Sequence, residues 1–207
     1  MRTTARLTAA FAILAAATAA QATVIFQDDF EAPAYAVGAL AGQNGWGVFG
    51  SGAAVSVQNG FAISGAQSAK ITGSLAAGQT GPYHADPSAI SQVTLSADIL
   101  LTSGSQERAW QFSAIGAGLV GFTGGIDVDV GGNIRAITNG FGVIGSFSRD
   151  TVHHIDILLD YLTNTYEVEL DGTSLATGLA FCGDNGPCNG AAPGQSYHTM
   201  QIGRAHV

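Results

Sequence analysis

Two acidic residues, Asp127 and Asp129, come nearest in type and spacing to a catalytic pattern. Alternate residues of a strand point to the same face, so the two carboxyls would lie side by side on an extended segment. A retaining glycosidase needs two carboxyls about 5–5.5 Å apart, and positions i and i+2 place their Cα atoms roughly 6.5–7 Å apart. The pair is a candidate general acid and nucleophile. The alternative is an ordinary strand face that points to solvent, which shows the same alternation of polar residues. Glu167 and Glu169 pose the same alternative.

Three further side chains are candidates for binding a sugar. The rings of Trp110 and Tyr83 could stack on a pyranose, and His84 could fix its orientation. Core packing is the alternative for both aromatic residues, because large rings are mostly buried. His153 and His154 are adjacent, so on a strand they point to opposite faces and do not share a ligand site. Sequence motifs for serine nucleophile elbows, phosphate loops and dinucleotide binding are absent.

The elements that would position these residues are strands. Ile155, Ile157 and Leu159 alternate with polar residues, and the same alternation returns over 165–170 before an Asp-Gly turn. This pattern predicts an antiparallel hairpin with one dry face and one acidic, wet face. Further strands are predicted over 24–30, 61–63 and 92–101, and a long loop over 73–87.

Composition supports an all-β fold. The 207 residues include 29 glycines and few long runs of helix-forming residues, so many short strands joined by glycine turns are expected. We predict one domain, an antiparallel β-sandwich of two packed sheets.

The first 22 residues predict a secretory signal peptide. Arg2 and Arg6 precede a short apolar run that ends in Ala20-Gln21-Ala22, a small-residue cleavage site. The run is too short and alanine-rich for a stable membrane span, so the mature chain is expected to be secreted or attached to the cell envelope without a membrane span.

The net charge of the chain limits the kinds of partner that it could bind. Fifteen acidic residues against seven basic ones give a net charge of −8. Nucleic acid demands Lys and Arg for its phosphates, so it is excluded as a partner. The balance suits calcium, a neutral ligand such as a carbohydrate, or solubility alone.

The two cysteines, Cys182 and Cys188, flank a Gly/Pro-rich loop. Export to an oxidising compartment predicts a local disulfide between them. A metal site is the alternative, but no second Cys or His pair has zinc spacing.

Three groups of residues in chain order carry a family resemblance. They are 28–31 with 42–46, 65–71, and the hairpin that ends at Leu170-Asp171-Gly172. Their order resembles the concanavalin A-like lectin/glucanase superfamily, in particular the laminin-G-like jelly-roll domains of secreted bacterial proteins. The resemblance implies a sugar-binding module, a glycosidase, a polysaccharide lyase or a surface protein.

The resemblance also implies particular sites. A structural calcium would be held partly by Asp28, Asp29 and Glu31, where the alternative is an ordinary charged strand end. Laminarinase-type members carry a pattern similar to Glu-x-Asp-x-x-Glu. Here both acids are Asp, and the third position is Gly132. We therefore expect a non-catalytic carbohydrate-binding or surface module over 23–201, with a glycosidase or lyase, or a purely structural envelope protein, as alternatives.

The last six residues, 202–207, look like a translated sequencing adapter. We expect the native reading frame to differ after about Gln201, and no function is assigned to this tail.

Overall fold

The computed structural model describes residues 24, 26–49, 54–72, 81–85, 90–103, 109–116, 122–138, 142–182 and 197–203. In these ranges all regular elements are β-strands, and no helix is long and apolar enough to cross a membrane. The fourteen strands are β1 Gly38–Ala39, β2 Trp46–Phe49, β3 Ala54–Gln58, β4 Ser68–Thr72, β5 Gly81–Ala85, β6 Gln92–Leu100, β7 Ala109–Gly116, β8 Phe122–Asp129, β9 Asn133–Ala136, β10 Val143–Ser146, β11 Val152–Asp160, β12 Thr165–Leu170, β13 Thr173–Ala180 and β14 Tyr197–Gly203.

The predicted hairpin is confirmed as β11 and β12. Ile157 pairs with Val168 in an antiparallel register, and both side chains are buried. The Asp160 carboxylate accepts hydrogen bonds from the backbone N–H groups of Leu162 (2.8 Å) and Thr163 (3.2 Å), which shapes the turn between the strands. The acidic residues of the hairpin lie on its outer face.

The described strands form three antiparallel sheets, and the predicted all-β sandwich class is confirmed. The sheet orders are β10-β9-β8-β7-β14-β5-β2, β13-β12-β11-β6 and β1-β3-β4. The seven-stranded and four-stranded sheets enclose the main core between their inner faces. Tyr166 joins these two layers, because its hydroxyl donates to the carbonyl oxygens of Gly125 (3.2 Å) and Ile137 (3.0 Å).

A second, smaller core lies under the three-stranded sheet. Val55 and Val57 pack there with Trp46, which comes from the seven-stranded sheet. Trp46 Nε1 donates to Asp28 Oδ2 at 2.9 Å and to the Tyr35 hydroxyl at 3.0 Å. The indole N–H is therefore satisfied although the ring is buried.

Three of the predicted element positions are wrong. Residues 26–30 are irregular, because Phe30 has a φ of 61° and the carboxylates of Asp28 and Asp29 bond backbone N–H groups two residues ahead. Residues 61–63 form bends. The predicted loop over 73–87 contains β5, which is a strand because it pairs with β2 and β14 on its two sides. Tertiary pairing thus outweighs the local Gly/Pro composition.

Strand β14 extends through residues 202 and 203, which pair with Phe112 and Gln111 of β7. The predicted tail therefore begins inside a strand, and its proposed adapter origin stays a prediction.

Candidate functional site

The outer face of the seven-stranded sheet carries buried polar side chains. In β7 and β8, Phe112 and Ile126 point into the core, while Gln111, Ser113 and Asp127 point to the opposite face. The register places Asp127 directly between Gln111 of β7 and Arg135 of β9. We call Gln111, Ser113, Asp127 and Arg135 the polar face.

Burial changes the ionisation of Asp127. Its side chain is 5 % exposed, and loss of solvation raises its pKa from 3.8 to about 6. The charge of Arg135 acts in the opposite direction, and that of Asp129 raises the pKa further. A carboxyl that titrates near neutral pH, away from the core, is typical of a functional site.

Two polar atoms of this face have no hydrogen-bond partner in the described part of the chain. They are the acceptor Asp127 Oδ1 and the donor Arg135 Nε, and both are buried. Leaving such groups unpaired costs about 1–3 kcal/mol each. Because Asp127 and Arg135 are direct cross-strand partners, one ligand group with both a donor and an acceptor could satisfy them together.

The side chains of the polar face become less exposed from Arg135 towards Ser113. The Arg135 side chain is 39 % exposed, whereas Ser113 is fully buried. Within this face Gln111 Nε2 donates to Ser113 Oγ at 3.4 Å. Arg135 is therefore the most exposed member of the polar face, and Gln111, Ser113 and Asp127 are its buried members.

Asp129 has a different environment from Asp127. Its Oδ1 accepts from the backbone N–H groups of Gly131 (2.8 Å) and Asn133 (3.0 Å), and its Oδ2 accepts from Asn133 Nδ2 (2.9 Å) and Arg135 Nη2 (3.0 Å). The hydrogen bond from the Asn133 side chain is the main reason why the pKa of Asp129 is lowered. Both oxygens are thus engaged in closing the β8–β9 turn.

The turn also explains the glycine where the laminarinase-type pattern has a third acid. Gly132 has a φ of 82°, and a Cβ at this position would lie 2.5 Å from the carbonyl oxygen of Phe147. A glutamate would be sterically excluded. Asp127 and Asp129 share one face, but their surroundings favour a structural role for Asp129 over a nucleophilic one.

The structure does not bring the three predicted sugar contacts together. Trp110 is 7 % exposed and stacks with Phe112 in the main core. Tyr83 and His84 are adjacent on β5 and point to opposite faces. The Tyr83 ring covers Gly47, where a Cβ would lie 2.5 Å from Tyr83 Cε1, and His84 stacks on Phe26 at 3.6 Å between ring centroids.

Of these three residues, Tyr83 lies on the side of the sheet that carries the polar face. The register relates it to Ser113 through residue 201 of β14. The sugar contacts of Trp110, Tyr83 and His84 stay predictions.

The proposed calcium ligands are directed to different segments. Asp28 bonds Trp46 Nε1, Asp29 bonds the Glu31 N–H (3.0 Å), and Glu31 Oε1 accepts from the N–H groups of Ala66 (2.6 Å) and Gln67 (2.9 Å). Among the described residues there is no group of three or more His, Cys, Asp or Glu side chains that could hold a metal ion. The calcium site stays a prediction.

Thermal unfolding in calcium and in chelator tests that prediction. A bound calcium stabilises the folded chain by mass action, so the midpoint is expected to be higher in calcium. An unchanged midpoint would count against the site.

Cys182 is buried, with its Sγ 3.3 Å from the carbonyl oxygen of Ile137. Cys188 lies outside the described residues, so the disulfide between them stays a prediction.

Sequence reasoning missed Gln111, Ser113 and Arg135. A signal for the first two was present, because Gln111 and Ser113 alternate with Phe112 and Ala114. Such alternation places polar side chains on the face away from the core. Arg135 could be found only with the β8–β9 register, which sets it opposite Asp127.

The fold and the site define the structural class of this protein, which is an all-β sandwich with buried polar side chains on the outer face of one sheet. No family model matches the chain, and no curated protein matches it. Among solved structures it is similar to a sialidase, with a TM-score of 0.60 and 13% identity over 79% of this chain and 13% of that chain. It is also similar to the carbohydrate-binding module CBM66 from Bacillus subtilis, with a TM-score of 0.44 and 12% identity over 77% of this chain and 91% of that one. The likeness to the sialidase supports the fold, and the chain spans only a small part of that protein.

Proposed function

We propose that this protein is a carbohydrate-binding module, secreted or attached to the cell envelope, and that the polar face binds the sugar without catalysing a reaction on it. The observation that carries the proposal is the buried acceptor Asp127 Oδ1 next to the buried donor Arg135 Nε, neither with a partner in the described part of the chain. The proposal rests on this site and not on the names of the structural neighbours.

The chemistry of a sugar hydroxyl fits the two unpaired atoms. A hydroxyl has one O–H donor and two acceptor lone pairs. It can donate to Asp127 Oδ1 and accept from Arg135 Nε, so a single hydroxyl or a vicinal pair restores both lost hydrogen bonds. Hydrogen bonds to charged groups are worth about 1.5–3 kcal/mol each, which makes this pair a strong anchor for a polar ligand.

The charges favour a neutral glycan. Arg135, the cation of the polar face, is already paired with Asp129 at 3.0 Å. Asp127 adds a second carboxylate above about pH 6. An acidic sugar would meet net negative charge, both here and from the chain as a whole at −8.

A glycan array probed with the mature chain tests the proposal. We expect binding to a subset of neutral glycans. In calorimetry, Asp127→Asn and Arg135→Lys should each weaken binding about tenfold or more, because the first replaces a charged acceptor with a weaker neutral one and the second removes the Nε–H donor.

Glu169→Gln is the matched control. It removes one negative charge from the outer face of the four-stranded sheet and should leave the affinity unchanged. Silence across neutral and acidic glycans would favour a purely structural envelope protein, and equal affinities in all three variants would place the binding site elsewhere.

A further inference from the structure

Three side chains at one end of the sandwich form a continuous chain of hydrogen bonds. Ser148, between β10 and β11, has its Oγ 2.8 Å from Nε2 of His153. Nδ1 of the same imidazole lies 2.7 Å from Oδ2 of Asp171, in the turn between β12 and β13. The order is serine, histidine and aspartate, with a different ring nitrogen facing each neighbour.

The chemistry of the partners assigns the protons. The hydrogen bond from His153 is the main reason why the pKa of Asp171 is lowered, so Asp171 is a carboxylate and only accepts. His153 Nδ1–H therefore donates to Asp171, and in the neutral form of the imidazole Nε2 is left as the acceptor of the Ser148 O–H. This is the tautomer that a general base needs to remove a proton from a serine.

The aspartate is held in place independently of the histidine. Its Oδ1 accepts from the backbone N–H of His154 at 2.9 Å, and its own N–H donates to the carbonyl oxygen of His154 at 2.8 Å. Asp171 is thus bound to the start of β11 by two backbone groups of His154, and the His153 imidazole is oriented by a fixed carboxylate.

The two ends of this chain of hydrogen bonds are exposed, the Asp171 side chain by 51 %, and its middle is buried. The His153 side chain is 10 % exposed and packs against the Phe147 ring, with 4.4 Å between ring centroids. Ser148 is exposed. A molecule in solution can reach the hydroxyl, while the base behind it is shielded from water.

We propose that Ser148 is the nucleophile of an acyl-transfer site for short-chain carboxylic esters, with His153 as general base and Asp171 as its positioning residue. Ser148 Oγ forms a bond to the ester carbonyl carbon, and its proton passes to His153 Nε2. The bond from that carbon to the alcohol oxygen breaks, and the alcohol leaves with the proton from His153. Water then attacks the acyl-serine through the same base, which releases the carboxylic acid and restores Ser148.

This activity is independent of sugar binding at the polar face. The residues concerned lie in the β10–β11 connection, β11 and the β12–β13 turn, whereas the polar face lies on β7, β8 and β9. Failure of either proposal leaves the other standing.

The test uses p-nitrophenyl acetate as the ester, with acid quenching, mass spectrometry and peptide mapping. We expect one acetyl group on the peptide that contains Ser148, and release of p-nitrophenolate above the buffer rate. Ser148→Ala should lose both signals and keep the wild-type circular dichroism spectrum, because Ser148 is exposed. Ser146→Ala removes another exposed serine two residues away and is expected to react as the wild type does.

The variant Asp171→Asn tests whether His153 acts as an oriented general base or only forms a structural hydrogen bond with Ser148. It should slow acetylation about tenfold or more, since the wrong tautomer of His153 is then favoured. An acetylation rate equal to that of the wild type would overturn the positioning role. Absence of acetyl-Ser148 in folded wild-type protein, or equal labelling in Ser148→Ala, would show that the three side chains form only a structural network.

Discussion

Replacing Asp127 with Asn is expected to stabilise the folded chain at neutral pH by about 3 kcal/mol. The cause is the burial of a carboxyl that must ionise in a site of low solvation. A pKa displaced from 3.8 to about 6 corresponds to about 3 kcal/mol, since each pKa unit is worth about 1.4 kcal/mol. Asn has nearly the same shape and carries no charge, so it avoids this cost.

The direction in which stability changes with pH follows from the number of protons bound to Asp127 in the folded and unfolded states. Between about pH 4 and pH 6 the folded state holds the proton of Asp127, whereas the unfolded chain has lost it. The contribution of Asp127 to the stability of the wild type should therefore fall as the pH rises through this window and stay level above it. Below pH 4 both states are protonated, and the variant should gain little.

Urea unfolding at pH 3.5 and pH 7.5 measures the effect. The gain of Asp127→Asn over the wild type should be near zero at the lower pH and about 3 kcal/mol at the higher. Glu169→Gln, on the opposite layer, is the control for loss of one charge. A gain that is the same at both pH values would mean that Asp127 is not desolvated in the folded state.

A more stable variant with weaker glycan binding would be a specific result. Mutations usually destabilise, and stabilising ones at a binding site commonly reduce function. Weak binding in a more stable variant could not be attributed to misfolding. The two measurements on Asp127→Asn therefore separate a role in binding from a role in packing.

The second large effect is expected for Gly125→Ala. A Cβ at Gly125 would lie 2.6 Å from both Cα and Cβ of Ser113, and also against the carbonyl oxygen of Phe112. Two of these atoms belong to the backbone of β7, so they cannot move away without breaking the β7–β8 pairing. Overpacking of this kind costs about 1–3 kcal/mol or more, and we expect the upper end of that range or failure to fold.

Gly142→Ala is the matched control. Among the described residues, and apart from the chain neighbours of Gly142, no atom lies within 4 Å of a Cβ built there. The stability of Gly142→Ala should therefore stay within about 0.5 kcal/mol of the wild type. Chemical unfolding of both variants gives the comparison. If Gly125→Ala were as stable as Gly142→Ala, the close approach of β7 and β8 at Ser113 would be incorrect.

Much of the architecture could be predicted from local patterns. The alternation around Ile157 and Val168 predicted the hairpin of β11 and β12 and its buried face, because side chains alternate between the two faces of a strand. The strand β5 could not be predicted in this way. Its residues, Gly81 to Ala85, are held as a strand by distant partners on both sides.

Predicting the candidate sites required, even more than predicting the strands, contacts between residues that are distant in sequence. Asp127 was found by its type and spacing, but Gln111 became relevant only through the β7–β8 register. Sequence reasoning correctly placed His153 and His154 on opposite faces. It could not show that Ser148 and Asp171 meet His153, because the two are held by different connections of the sandwich.

Nuclear magnetic resonance of the chain with a neutral glycan selected on the array tests the proposed site most directly. On saturation, the Arg135 Nε–H signal should shift as that group gains an acceptor. The pKa of Asp127 should fall below about 6, because a hydroxyl that donates to the carboxylate stabilises its charged form. Saturable binding that leaves both signals unchanged would contradict the account and place the sugar away from the polar face.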